Sequence, residues 1–130
     1  MDGPTVVGLG SDLVEVARFR RAVKRRPSLS DRLFSAAEQE YAHQQKDPAK
    51  SLAARFAAKE AVMKALGVGL WKFAFRDVEV VRAETGAPAI KLTGRARELA
   101  TERNVTSWHL SLTHTEDNAL AVVLAIGSVD

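Results

Sequence analysis

Residues 47–67 read DPAKSLAARFAAKEAVMKALG, and this stretch decides the architecture. Asp47 suits an N-cap, Pro48 the first helical position and Gly67 a C-terminal cap. Between them the chain is rich in Ala, Leu and Lys, all strong helix formers. One helix running to Leu66 is expected. Leu52, Phe56, Met63 and Leu66 mark its apolar stripe, with Lys59 and Glu60 on the border. Such a stripe needs a cover, and the flanking segments supply strands.

On the N-terminal side, Val6-Val7-Gly8-Leu9-Gly10 reads as a buried strand ending near Ser11 and Asp12. A helix is expected from about Leu13 to Arg25, with Leu13, Val16, Phe19 and Val23 on its apolar face and Pro27 after its end. Ser35-Ala-Ala-Glu38 is a capping box for a short helix through about Gln45. On the C-terminal side, Val78, Val80 and Val81 form a strand, residues 84–88 a turn and Ala89–Leu92 the returning strand. A helix over about Arg95–Arg103 and strands over Trp108–Leu112 and Ala119–Ile126 complete the chain. The expected class is α+β: a mostly antiparallel sheet packed on one long helix.

The chain has 130 residues, 46% hydrophobic and 27% charged, which fits a single domain spanning 1–130. A chain this long buries roughly two thirds of its unfolded surface, so it needs no staple. It has no cysteine, which excludes a disulfide scaffold, a zinc finger, an iron–sulfur site and a thiol nucleophile. Residues 1–4, MDGP, carry no basic n-region and no apolar h-region, and no stretch approaches the ~20 apolar residues of a membrane span. A cytoplasmic protein is the expectation. The net charge of +3 and pI near 9.5 favour acidic partners mildly.

Four features carry chemistry. Asp12, where strand gives way to helix, suits a metal ligand. It also suits an N-cap, and with Glu15 three residues on it fits a capping box. Phe56, Glu60 and Lys64 share one helix face by i, i+4, i+8 spacing. That spacing fits a surface Glu60–Lys64 pair worth about 0.3–0.5 kcal/mol. It also fits a carboxylate and an ammonium aimed at a phosphate and its Mg²⁺. His114, at a strand end, suits a phosphate contact, a proton shuttle or a plain loop residue. His109 and His43 read as surface or structural residues. Gly67-Val-Gly69 is a cap and turn, or a turn through which backbone approaches a nucleotide; no Walker loop is present.

Arg18, Arg20, Arg21, Lys24, Arg25 and Arg26 make a basic run, with Arg18, Arg21 and Arg25 on one face. Such a stripe is either solvated or a docking site for an acidic helix or a phosphate backbone. The aromatic segment 70–76 flanks a ligand or packs in the core, and the core reading is preferred.

Taken in order, these segments resemble one family. Gly8-Leu-Gly10-Ser11-Asp12-Leu-Val-Glu15-x-x-Arg18 resembles its first motif, and Arg55-Phe-Ala-Ala-Lys59-Glu60-Ala-Val-Met-Lys64-Ala65 its second and most specific. Asp77-Val-Glu79-Val with Gly86-Ala-Pro88 resembles its hairpin, and Trp108-His-Leu-Ser111-Leu-Thr-His114-Thr115 its last motif. The family is the holo-acyl carrier protein synthases, the short 4′-phosphopantetheinyl transferases, and the resemblance covers essentially the whole chain. Ser11 departs from the aliphatic residue more usual before the aspartate.

The resemblance implies the 4′-phosphopantetheinyl transferase fold. It also implies Mg²⁺-dependent transfer of 4′-phosphopantetheine from coenzyme A to a serine of apo acyl carrier protein, for fatty acid or polyketide biosynthesis. By motif, Asp12 and Glu60 are the metal ligands, and Glu60, Lys64 and His114 the catalytic set. Lys64 meets the diphosphate, and His114 and Thr115 lie beside the coenzyme A phosphates. Arg55, Gly67 and Gly69 belong to the coenzyme A site. Arg18, Arg21 and Arg25 face the carrier's acidic helix. Glu60, directly or through a metal-bound water, is the candidate base for the serine. The family also implies a homotrimer with sites between subunits. Mg²⁺ needs only one or two protein carboxylates, so one Asp and one distant Glu suffice.

Three rivals remain at this level. A nucleic-acid-binding domain rests on the pI and the basic helix but leaves Lys59-Glu60 and Thr113-His114 without a role. A Mg²⁺ phosphohydrolase uses the same carboxylates to activate water. A non-catalytic scaffold subunit would tolerate loss of Glu60.

Overall fold

The computed structural model describes residues 3–128, so Met1 and Asp2 of the N-terminal leader reading lie outside it. The order is β1 (Thr5–Glu15), α1 (Val16–Arg25), α2 (Ser28–Leu33), α3 (Ala36–His43), α4 (Pro48–Leu66), β2 (Val78–Arg82), β3 (Pro88–Leu92), α5 (Gly94–Glu102), β4 (Val105–His114) and β5 (Asn118–Gly127). One 3-10 turn, Phe75–Asp77, precedes β2. The class is α+β as expected. The strands form two antiparallel sheets: β1-β5-β4, and the β2-β3 hairpin. No helix among the described residues is long and apolar enough to cross a membrane.

The central helix α4 forms as its caps direct. The Asp47 carboxylate accepts the Lys50 N–H at 3.3 Å, Pro48 opens the helix, and Gly67 closes it at φ 69°. Asp47 also takes both prongs of the Arg20 guanidinium at 2.9 Å, which pulls its carboxyl down to about 2 and ties α1 to the start of α4. The Ser35–Glu38 capping box forms in full at the start of α3.

The N-terminal boundary differs from expectation. β1 continues through Asp12 to Glu15, and α1 begins only at Val16. Asp12 sits mid-strand opposite Ala121, so it is neither an N-cap nor part of a capping box. The Val16 N–H bonds the Asp117 carbonyl instead. Leu13 lies on the outer strand face at 64% exposure rather than on a helix stripe. The ladder with β5 continues to Glu15 opposite Asn118, and these pairings outweigh a one-turn gain in helix. The short α2 was not anticipated.

One contact sets the geometry. A Cβ on Gly10 would lie 1.8 Å from the Ala61 carbonyl oxygen, and one on Gly8 2.0 Å from that of Ala65. Strand backbone therefore rests directly on helix backbone. Ala57, Ala58, Ala61 and Ala65 on α4 face Ala121, Val123 and Ala125 on β5, all buried. A second cluster joins Phe19, Phe34, Leu52 and Ala53 between α1, α3 and the first half of α4. Phe19, Phe56, Phe75 and Phe73 link the two as a run of rings 5.5–5.9 Å apart. Phe73 and Phe75 of the aromatic segment thus join the core, whereas Trp71 is 78% exposed.

The close contact makes a stability prediction. Gly10→Ala destabilises the protein by about 3 kcal/mol, the upper end of overpacking. Gly69→Ala, where a Cβ meets open space, changes stability by less than about 0.5 kcal/mol. Urea denaturation midpoints check both; a Gly10→Ala midpoint equal to that of Gly69→Ala would contradict the packing.

Candidate active site

Two cavities flank α4, and they share no lining residue. The first, of about 580 Å³, holds the sequence-nominated carboxylates. Alternation along β1 turns Asp12, like Gly10 and Val14, toward α4. Glu60 reaches the same space from the helix, with Phe56 one turn before it. Lys64, one turn on, donates to Asp12 Oδ1 at 3.1 Å and to the Ser11 carbonyl at 3.0 Å. Among the described residues Lys64 therefore pairs with Asp12, not with Glu60 as a simple surface pair. Arg18 lines the same cavity from α1, and Leu13, Leu29, Leu33, Phe19, Trp71 and Phe75 give it an apolar floor.

Burial raises the Glu60 carboxyl above the usual carboxylate range, Asp12's charge raises it further, and Lys64 opposes both. Asp12, Glu15 and Glu60 all line this cavity, Asp12 and Glu60 half-buried, with Lys64 and Arg18 as the facing cations, and carboxylates so placed suit a hard divalent cation. No set of three His, Cys, Asp or Glu capable of holding a metal exists among the described residues. Any cation there takes its remaining ligands from water or from phosphate oxygens.

The second cavity, of about 690 Å³, is basic. Lys46, Lys50, Arg55, Arg82 and His114 line it, against Asp47 and Glu116. The Tyr41 ring lies 4.3 Å from the Arg55 guanidinium and 5.0 Å from that of Arg82, whose Nη2 donates to the Tyr41 hydroxyl at 2.5 Å. Arg55 also donates to Ser51, and its buried Nε has no partner among the described residues. A cavity with this charge suits a phosphorylated ligand.

The nominated residues thus fall into separate groups. Asp12, Glu60 and Arg18 share the first cavity, with Lys64 bound to Asp12, while Arg55 and His114 share the second. Thr115 accepts the Asp117 and Asn118 N–H groups at 3.3 and 3.1 Å, so its hydroxyl shapes the β4–β5 turn. Gly67 serves the left-handed cap. Neither Gly67 nor Gly69 lines a cavity. Arg21 and Arg25 are exposed on α1. Lys59, read from its spacing as a border residue, is fully buried in an ion pair with Glu38. Tyr41, Lys46, Lys50 and Arg82 carry no local motif that marks them as cavity residues.

The α+β fold thus carries two separate cavities, a basic one suited to a phosphorylated ligand and one lined by carboxylates. The sequence model of the 4′-phosphopantetheinyl transferase superfamily matches residues 8–123, and the chain belongs to that family. It is 46% identical over 119 residues to the holo-[acyl-carrier-protein] synthase of Moorella thermoacetica, covering 92% of this chain and 93% of that protein. Among solved structures it is similar to the holo-[acyl-carrier-protein] synthase of Neisseria meningitidis, with 30% identity, a TM-score of 0.85, and coverage of 93% of this chain and 98% of that one. It is also similar to the Helicobacter pylori holo-[acyl-carrier-protein] synthase in complex with coenzyme A, with 32% identity, a TM-score of 0.78 and coverage of 90% and 98%.

The raised Glu60 carboxyl gives a signed stability prediction. The folded chain holds this proton more tightly than the unfolded chain does, so ionising Glu60 opposes folding. That cost is absent below the ordinary glutamate pKa of about 4.3 and fully present above the raised value. Glu60→Gln therefore raises the melting temperature by a few degrees at pH 7 in EDTA, and the gain shrinks toward pH 4. A variant less stable than wild type at pH 7, or a gain that grows in acid, would contradict it.

Proposed function

We propose that the chain, acting as one transferase domain, moves 4′-phosphopantetheine from coenzyme A to a serine of apo acyl carrier protein, releasing adenosine 3′,5′-bisphosphate. The observation that carries this reading is the meeting of Asp12 and Glu60 at one cavity with the Lys64 ammonium on Asp12. Family membership supplies the reaction class.

The serine oxygen attacks the phosphorus that bears the pantetheine, and the bond from that phosphorus to the bridging oxygen breaks. The bridging oxygen leaves with adenosine 3′,5′-bisphosphate. Glu60, which reaches the cavity from α4, takes the serine proton directly or through a water. The Lys64 ammonium exchanges Asp12 for a diphosphate oxygen and holds the leaving side in line. Asp12 and Glu60 would hold a Mg²⁺, which when bound would supply neutralisation of charge on the diphosphate. In the basic cavity, Arg55, His114 and neighbouring lysines hold the adenosine bisphosphate end.

The carrier protein docks on Arg18, Arg21 and Arg25. Arg18 lines the carboxylate cavity, so a carrier helix on this face presents its serine close to Glu60. Opposite charge there accelerates encounter and fixes orientation more than it adds affinity.

The active unit is a homotrimer with sites between subunits. Leu9 and Leu13 are each 64% exposed on the outer face of the three-stranded sheet. Val122 and the half-buried Leu120, Leu124 and Ile126 continue that face along β5. A face of this size and apolarity calls for a partner. Copies docked there bring the basic cavity of one to the carboxylates of the next. The setting is cytoplasmic fatty acid or polyketide biosynthesis.

Mass spectrometry of apo acyl carrier protein after incubation with this protein, coenzyme A and Mg²⁺ tests the reading. A gain of one phosphopantetheine, lost with EDTA, is expected. Free phosphate without carrier modification would favour a phosphohydrolase instead. Asp12→Ala lowers kcat at least about a hundredfold with the fold intact. Arg18→Glu raises the carrier KM about tenfold with little change in the coenzyme A KM. Equal effects on both would move Arg18 off the docking face.

A further inference from the structure

The geometry points to α3 as the positioning element of both cavities: Glu38 and Tyr41, three residues apart on one face, grip Lys59 and Arg55, four apart on α4, and thereby fix the roll of the helix that carries Glu60. The inference rests on the transferase reading of Glu60 and Arg55.

Glu38 and Lys59 are both buried, and Lys59 is fully so. The Lys59 ammonium spends all three donors: on Glu38 Oε1 at 2.8 Å, on the Phe75 carbonyl at 3.0 Å and on the Val78 carbonyl. Glu38 also accepts the Ser35 N–H and the Val80 N–H, each at 3.0 Å. One hub therefore joins α3, α4, the 3-10 turn and β2. Glu60 is the next residue along α4, rotated about 100° from Lys59. The turn whose carbonyl Lys59 grips also places the Phe75 ring in the wall of the Glu60 cavity.

One turn away the same two helices meet again. Tyr41 stands between Arg55 and Arg82 and holds two like charges at one cavity wall. Stability alone does not account for the Glu38–Lys59 pair, because well-packed apolar residues often replace a buried ion pair without loss. A satisfied buried network does specify one arrangement, which placement of a reacting carboxylate requires.

The two halves predict opposite kinetic signatures. In Glu38→Gln/Lys59→Met, the amide still accepts from Val80 and Met fills the lysine volume. This variant keeps cooperative melting and lowers kcat about a hundredfold, with the coenzyme A KM within about threefold of wild type. Its Mn²⁺ affinity with coenzyme A present, read by electron paramagnetic resonance, falls about tenfold. Tyr41→Leu raises the coenzyme A KM and calorimetric Kd about tenfold and leaves kcat within about threefold, while Tyr41→Phe, which keeps the ring beside both guanidiniums but loses the hydroxyl that accepts from Arg82, falls between Tyr41→Leu and wild type. A folded double variant with wild-type kcat and Mn²⁺ affinity overturns the inference. If the double variant does not fold, a wild-type coenzyme A affinity in Tyr41→Leu overturns it. The two binding readouts stand apart from turnover, so a protein that transfers nothing yet shows these shifts sinks the transferase reading and not the positioning role.

Discussion

Strand β1 lies on helix α4 with no side chain between them at Gly8 and Gly10, and the rest of the architecture depends on that contact. Helix and strand backbones approach this closely only where one side gives up its Cβ. The approach aligns α4 along the inner sheet face, where β5 offers alanines and one valine. It also decides what the two elements present beyond the glycines. Asp12 follows Gly10 by two residues, so it shares Gly10's face of the strand and meets Glu60 and Lys64 at the helix edge. A larger residue at Gly10 would separate the carboxylates as well as loosen the core.

The cations of this chain divide by depth. Lys59 is consumed inside the fold by Glu38 and two carbonyls, and Arg20 is turned onto Asp47. Neither is free for a ligand. Arg18, Arg21 and Arg25 remain exposed on α1. Lys46, Lys50, Arg55 and Arg82 gather around the second cavity. The mild net charge of +3 thus conceals one basic helix face and one basic hollow, each suited to a different acidic partner.

Much of this was legible in the sequence where local signals decide the outcome. The caps of α4, the Ser35–Glu38 box, the β2-β3 hairpin and β5 follow from short-range chemistry. At the β1–α1 boundary Asp12-x-x-Glu15 imitates a capping box, while the ladder to β5 that extends the strand to Glu15 is invisible locally. The alternation of Gly8, Gly10, Asp12 and Val14 on one face is the strand signal that carries β1 past Ser11. The motifs point to Asp12, Glu60 and Lys64 one by one, but their convergence joins Lys64 to Asp12 across 52 positions of sequence. Lys59 was placed on a border because periodicity shows direction and not what stands opposite; α3 stands opposite and buries it. Tyr41, Lys50 and Arg82 gather at one cavity only through tertiary packing, so no spacing betrays them.

The central claim is that the β1–α4 contact brings Asp12 and Glu60 together to hold one divalent cation against a phosphate ligand. Electron paramagnetic resonance of Mn²⁺ tests it directly, with the protein titrated in the presence and absence of coenzyme A. The account predicts binding that coenzyme A strengthens and that Asp12→Asn and Glu60→Gln each reduce by at least about tenfold. Undiminished Mn²⁺ binding in both variants would place the cation elsewhere and contradict the account.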